Sequence, residues 1–331
     1  MRKRMLVIAL ATTAALAPRP AAAQGRAPTP SRTPDGKPNL AGIYSFSTIT
    51  PLQRPDTLAG KATLTDEEAA AFEASENTRL NRDLFDPEKG QPSAGYAPRA
   101  QGGVLSYNEG WYERGNRLTK DKRTSLITDP PSGTIPMTEA ARRRVAARTQ
   151  LSNSGLGDSY EDRPLADRCL IGFNSGPPMT PGAYNNNVQI LQSPGVVVIL
   201  NEMVHNVRII PTDGRPHTSL RQWSGDSRGR WEGDTLVVDT MNFRRETSLQ
   251  GSTADTRLVE RFTRLDADTL RYEFTVTDPS AYTQPWSAMV PWSRIPGPIF
   301  EYGCHEGNYA LPNILAGARA QEKQDNARAG R

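Results

Sequence analysis

Between residues 184 and 276 the chain is a succession of short apolar runs, each closed by a turn rich in Gly and Asp. No interleaved stretch there carries a helical period. Residues 270–276 show the pattern most plainly. Leu270, Tyr272, Phe274 and Val276 share one face of an extended chain, and Arg271, Glu273 and Thr275 share the other. A period of two means one face against a core and one against water, the habit of antiparallel sheets. Strands are expected at 188–191, 196–210, 219–223, 236–240, 258–265 and 270–276. Successive strands joined by short turns predict an antiparallel meander that hides its edges by closing into a barrel or a sandwich. The fold class is therefore mainly β, with a lipocalin-like (calycin) barrel as the nearest analogy, and such a barrel offers an interior cavity.

Helices are expected only at the margins. Thr65 and Glu68 form a capping box ahead of an Ala/Glu-rich run to residue 80, and Thr138 caps a helix over 139–148. A C-terminal helix is expected over 308–323. Shorter strands are expected at 39–46, at 123–131, where two prolines stop it, and at 169–173. The organisation read from this is a signal peptide (1–23), a flexible lead-in (24–37), an irregular N-terminal part (38–165), a β-rich main domain (166–323) and a disordered tail (324–331).

The N-terminus combines Arg2, Lys3 and Arg4 with an apolar run and an Ala21-Ala22-Ala23 cleavage site, which predicts export to the periplasm or medium. Removing Arg2, Lys3, Arg4 and Arg19 from 40 basic residues leaves 36, equal to the 36 acidic ones. A neutral mature chain argues against nucleic acid or an anionic membrane as partner. No apolar run is long enough to predict a membrane span. Cys169 and Cys304, the only cysteines, can form one disulfide in an oxidising compartment or remain buried thiols.

Polar residues inside the apolar runs are the candidates for chemistry, since a polar group placed mid-strand is costly unless satisfied or used. The candidate catalytic set is His205 with His305 as acid and base, tuned by Asp226 and Glu306. His205 is read as part of a strand, on one face with Asn201 and Met203; a satisfied core histidine is the competing reading. His217 is read as a surface loop residue. Candidate ligand-binding residues are Tyr184, Asn187, Asn201, Arg228, Trp286 and Tyr309. Asp226 and Arg228 equally suit a structural ion pair. In a strand, Glu202 and His205 would face opposite ways, and the helical H-E-x-x-H spacing is absent, so no metal site is expected. Walker, Rossmann and G-x-S-x-G patterns are absent too, and no cofactor is predicted.

The motifs RTSLI at 123–127, YNNN at 184–187, GDSRGRWEGDTL at 225–236 and CHEGNY at 304–309 resemble those of a group of exported hypothetical proteins of environmental bacteria. The resemblance implies export and a shared fold, and carries no catalytic residue. Three functions fit: a cofactor-independent lyase, isomerase or hydrolase acting on a small organic molecule; a periplasmic carrier of a small ligand; or a structural protein of the cell envelope. The oligomeric state is left open.

Overall fold

A computed structural model describes residues 32–84, 109–154 and 157–330. The signal peptide, most of the lead-in and residues 85–108 of the irregular N-terminal part lie outside the described residues. The fold is mainly β. Its strands are β1 (Gly42–Ser45), β2 (Ile127–Asp129), β3 (Asn187–Ser193), β4 (Val196–Asn201), β5 (Val207–Pro211), β6 (Asp226–Glu232), β7 (Thr235–Met241), β8 (Arg257–Arg264), β9 (Thr269–Thr277) and β10 (Trp286–Ile295). All ten join one antiparallel sheet in the order β5-β4-β3-β1-β10-β9-β8-β7-β6, with β2 added beside β10.

The β6–β9 segment is the expected meander, each strand pairing with the next. At its first turn, Gly233 takes a left-handed φ of 58°, which a side chain would strain. Along β9 the alternation is as read, with Leu270, Tyr272, Phe274 and Val276 all buried. These four, with Phe262, Trp286 and Trp292, make the centre of the core. Their rings pack at tilted or edge-on angles; Tyr272 and Trp292 lie 4.8 Å apart and Phe262 and Tyr272 4.9 Å.

Two features make the sheet curl. Arg208 of β5 reaches Glu260 of β8 across the core, although those strands stand far apart in sheet order. The outer strands β5 and β6 also touch at Gly229, where a Cβ would lie 2.8 Å from Thr212 Cγ2 and 3.0 Å from Ile210 Cγ2. No ladder bond joins β5 to β6 among the described residues, so the edges meet through side chains and the ring of strands is not hydrogen-bonded shut.

Several expected elements differ. The run 196–210 is two strands, not one, because Met203–His205 forms a 3-10 turn between β4 and β5. Residues 169–173 are turns and bends rather than a strand, 219–223 hold only an isolated bridge from Gln222 to Phe243, and only Ile127–Asp129 of 123–131 is extended in a ladder. Strand β10 was not anticipated, because Pro291 interrupts its pattern. Pro291 falls where β10 pairs with β9 on one side and with neither β1 nor β2 on the other, so its missing N–H costs no ladder bond.

Helix α1 (Asp66–Leu80) carries the expected Thr65/Glu68 capping box. Helix α2 (Glu139–Ser154) outruns its expected end at 148, and α3 (Ala310–Ala329) continues through most of the expected tail. Among the described residues no helix is long and apolar enough to cross a membrane. Cys169 and Cys304 are joined in a disulfide that closes 135 residues of chain.

Candidate functional site

The site forms where the β3–β4 hairpin opens. Asn187 begins β3, and Glu202 follows the last residue of β4. The Glu202 N–H donates to the Asn187 carbonyl at 3.0 Å, and the Asn187 side-chain amide donates back to Glu202 Oε2 at 2.7 Å. Glu202 Oε1 accepts the Phe300 backbone N–H at 2.9 Å. The carboxylate is thus fixed by two donors from opposite sides and is only 2 % exposed. Hydrogen bonds to a charged acceptor are among the stronger ones, so its orientation is well defined.

The backbone beyond Glu202 is strained. Val204 sits at φ 50°, ψ 28° and His205 at φ 41°, and Asn185 on the opposite wall has φ 52°. For a β-branched valine this left-handed conformation costs on the order of 1–3 kcal/mol. Burial of Met203 and Val204, and the bond from Asn201 N–H to the Asn206 carbonyl, hold the turn in place. Such strain tends to gather at functional sites.

The second wall rests on the consecutive asparagines. Asn174 donates to the carbonyls of Tyr184 and Asn185 and to Asn186 Oδ1. Asn186 donates to the carbonyls of Glu113 and Gly182. These amides satisfy loop backbone that no ladder reaches, and they bring residues 111–113 against Tyr184. As a result the Glu113 carboxylate lies 3.5 Å from the same Asn187 amide that holds Glu202. Tyr184 packs edge-on to Phe173 at 5.2 Å and lies 6.1 Å from Tyr112.

The third wall is the stretch that leaves β10. It turns through Gly297 (φ 79°), presents Phe300 and Tyr302, and is tied down by the Cys169–Cys304 disulfide. Asn308 reinforces this tether by donating to the Asp167 carbonyl at 2.8 Å. Between the walls lies a cleft of about 590 Å³ lined by Trp111, Glu113, Tyr184, Glu202, Phe300 and Tyr302. Trp111 and Phe300 are 72 % and 68 % exposed, unusual for rings of that size outside a binding surface. No basic side chain is among the described lining residues. The volume suits a small organic molecule.

A smaller hollow of about 390 Å³ lies where Arg148, Arg163, Arg168 and Arg245 meet Glu161, Asp162 and Glu246. Its charges of both signs are interleaved, and none of its described lining residues is a buried charged group.

Of the sequence candidates, Tyr184 lines the cleft and Asn187 holds its floor. The rest are placed elsewhere. His205 is in the 3-10 turn and exposed, not in a strand facing a core. His305 and Glu306 are exposed in the turn before α3. No hydrogen bond or ion pair joins His205 to His305, Asp226 or Glu306 among the described residues, and none of the four lines the cleft. Asp226 is buried and committed to Arg228 and to the Thr218 N–H at 2.7 Å, so this pair is an internal ion pair. Its histidine neighbour is His217, which stands between Asp226 (3.4 Å) and Asp239 (3.5 Å) and is half-buried rather than a free loop residue. Asn201 faces the core, with no hydrogen bond from its side chain among the described residues. Trp286 is fully buried against Phe274 and Tyr282. Tyr309 is exposed at the start of α3.

Glu202 stood out in the sequence as a charge inside an apolar run, and the 3-10 turn is what aims it into a cleft. Trp111 and Glu113 carried no signal, since only tertiary packing places them there.

The fold and cleft together define a mainly β protein with an aromatic-walled, carboxylate-floored site at one end of a curled sheet. Compared with protein-family models, curated protein sequences and solved structures, the chain matches none of them.

Proposed function

We propose that the mature protein is an exported small-molecule binding protein whose ligand lies in the cleft between Trp111, Tyr184 and Phe300. The observation that carries this reading is the Glu202 carboxylate, buried and held by two donors at the floor of a hollow walled by four aromatic rings and Glu113. A rigid carboxylate with no ion-pair partner among the described residues is poorly explained by stability alone. Export is supported by the basic and apolar N-terminal sequence together with the disulfide. The curled sheet is read as an incompletely closed barrel whose interior is filled by Trp292, Tyr272 and Phe262, so the ligand sits at its end rather than inside.

One observation favours catalysis as a second reading. Glu113 and Glu202 flank one amide, and two carboxylates in different surroundings can divide acid and base roles. A thermal-shift screen of small molecules tests the primary reading. Ligands are expected to raise the melting temperature of the wild type and to lose that effect in Trp111→Leu and Glu202→Gln. Equal shifts in wild type and variants, or none at all, would remove the cleft from consideration. Turnover of a stabilising compound, lost in Glu113→Gln, would move the assignment to the enzyme.

A further inference from the structure

We infer that the ligand of this cleft is a small organic cation, an ammonium group bearing no anionic neighbour; the inference rests on the binding reading above. Glu202 and Glu113 are the only charged side chains among the described lining residues, and neither forms an ion pair among the described residues. Glu202 is already fixed by Asn187 and by the Phe300 N–H. Both are neutral donors, and among the described residues no ion pair compensates the Glu202 charge. A carboxylate in a largely desolvated position attracts a cation much more strongly than one in open water.

The aromatic rings add to the same preference. Trp111, Tyr184, Phe300 and Tyr302 surround the hollow. The face of an aromatic ring is electron-rich and attracts a cation, and a cage of such rings is how quaternary ammonium groups are recognised. Arg114, next in sequence to the lining residue Glu113, is occupied. It bonds Glu109 at 2.7 Å and lies 4.2 Å over the Tyr112 ring, outside the lining. An anionic ligand would meet two carboxylates with no compensating base among the described residues. A neutral ligand would find apolar walls but leave Glu202 without its charge partner.

The test is calorimetric titration of the full mature chain with choline, with its neutral isostere 3,3-dimethylbutan-1-ol, and with phosphocholine. Choline is expected to bind roughly tenfold or more tightly than the isostere, and more tightly than phosphocholine. Glu113→Gln and Trp111→Leu leave the core alone, so each is expected to fold and to weaken choline several-fold. Glu202→Gln should abolish the preference for choline over the isostere. If the isostere or phosphocholine binds as tightly as choline and Trp111→Leu weakens both, the cleft remains a binding site and the cation inference is overturned. The cation inference is equally overturned if choline fails while neutral or anionic compounds raise the melting temperature through Trp111. If no probe binds and no compound raises the melting temperature, the cation inference and the binding reading fall together.

Discussion

Arg208 and Glu260 form a two-point ion pair, at 2.7 and 3.1 Å, in which both side chains are almost wholly buried. Arg208 lies on an edge strand, and Glu260 lies on β8, near the opposite edge. Their contact requires the sheet to fold back on itself. Tyr272 completes the group by donating to Glu260 Oε1 at 2.7 Å and accepting the Met179 N–H at 3.2 Å. Burial, and the carboxylate beside it, push the Tyr272 hydroxyl well above the usual phenol range, so it remains a donor.

Removing one member of this pair strands the other in the core. Glu260→Leu is expected to cost about 3–5 kcal/mol, because an unpaired buried guanidinium replaces a paired one. The double variant Arg208→Met with Glu260→Leu should recover most of that loss, since apolar side chains of similar volume carry no desolvation penalty. Urea denaturation of the three proteins checks this. A double variant no better than the single one would show that the pair stabilises the fold in its own right.

The disulfide closes a long loop and anchors the Phe300 wall. Replacing both cysteines by serine is expected to lower stability by about 5 kcal/mol on the chain-entropy account. Cleft binding should weaken in parallel, because Phe300 and Tyr302 lose their tether. Melting curves with and without reductant measure the first effect, and ligand titration of the reduced protein measures the second. Unchanged affinity after reduction would mean that Asn308 and the core contacts suffice to hold the wall.

Gly172 lies under the site. A Cβ there would fall 2.0 Å from Met203 Cγ, so Gly172→Ala must push aside a buried methionine adjacent to Glu202. The expected cost is about 1–3 kcal/mol of stability, with weaker ligand binding than in the wild type. Calorimetry of the variant tests both. A variant of wild-type stability would place Met203 among the easily repacked residues.

Two aspartates, Asp278 buried and Asp239 half-buried, should contribute to the acid limit. Burial works against ionising Asp278, but the Thr253 N–H and the hydroxyls of Ser280, Thr253 and Thr256 outweigh it and bring it below its ordinary value of 3.8. Burial likewise opposes ionisation of Asp239, and Arg257 and His217 outweigh it, bringing it below the same value. A depressed folded-state value adds stability that is fully present above the unfolded pKa and lost as the pH falls through the folded one. Stability from these groups should therefore be level from about pH 5 upward and fall below about pH 4. Asp278→Asn should lose about 1–3 kcal/mol near neutrality and show a shallower acid limb. Chemical denaturation at a series of pH values measures both. An acid limb as steep as the wild type's would assign the transition to other carboxylates.

Asn187→Ala removes the donor to Glu202 Oε2 and frees Glu113 as well. A loss of about 1–2 kcal/mol in stability is expected, with a larger proportional loss of ligand affinity, since the carboxylate is no longer aimed. Parallel denaturation and titration separate the two. Affinity falling only as far as stability does would make Asn187 a structural residue alone.

The local elements were legible where a periodic pattern ran uninterrupted. The alternation of Leu270, Tyr272, Phe274 and Val276, the Gly233 turn and the Thr65/Glu68 box depend on neighbours close in sequence, and they formed as read. Strand β10 was hidden by Pro291, whose tolerance depends on which strands flank it. The break at Met203–His205 was hidden because an apolar run gives no sign that valine will adopt a left-handed turn. That break leaves His205 exposed and Glu202 at the cleft, and no hydrogen bond joins His205 to His305 among the described residues.

By itself, the sequence determined the mainly β character, the marginal helices and the supply of two cysteines and a charged residue within an apolar run. These follow from side-chain period, capping and turn chemistry, all short-range effects. Only the tertiary structure decided that Cys169 meets Cys304, that Arg208 meets Glu260, and that Trp111 and Glu113 stand opposite Phe300 over Glu202. Each of those contacts joins residues far apart in the chain. Whether they meet depends on how the sheet curls and on which loops the asparagine side chains hold in place.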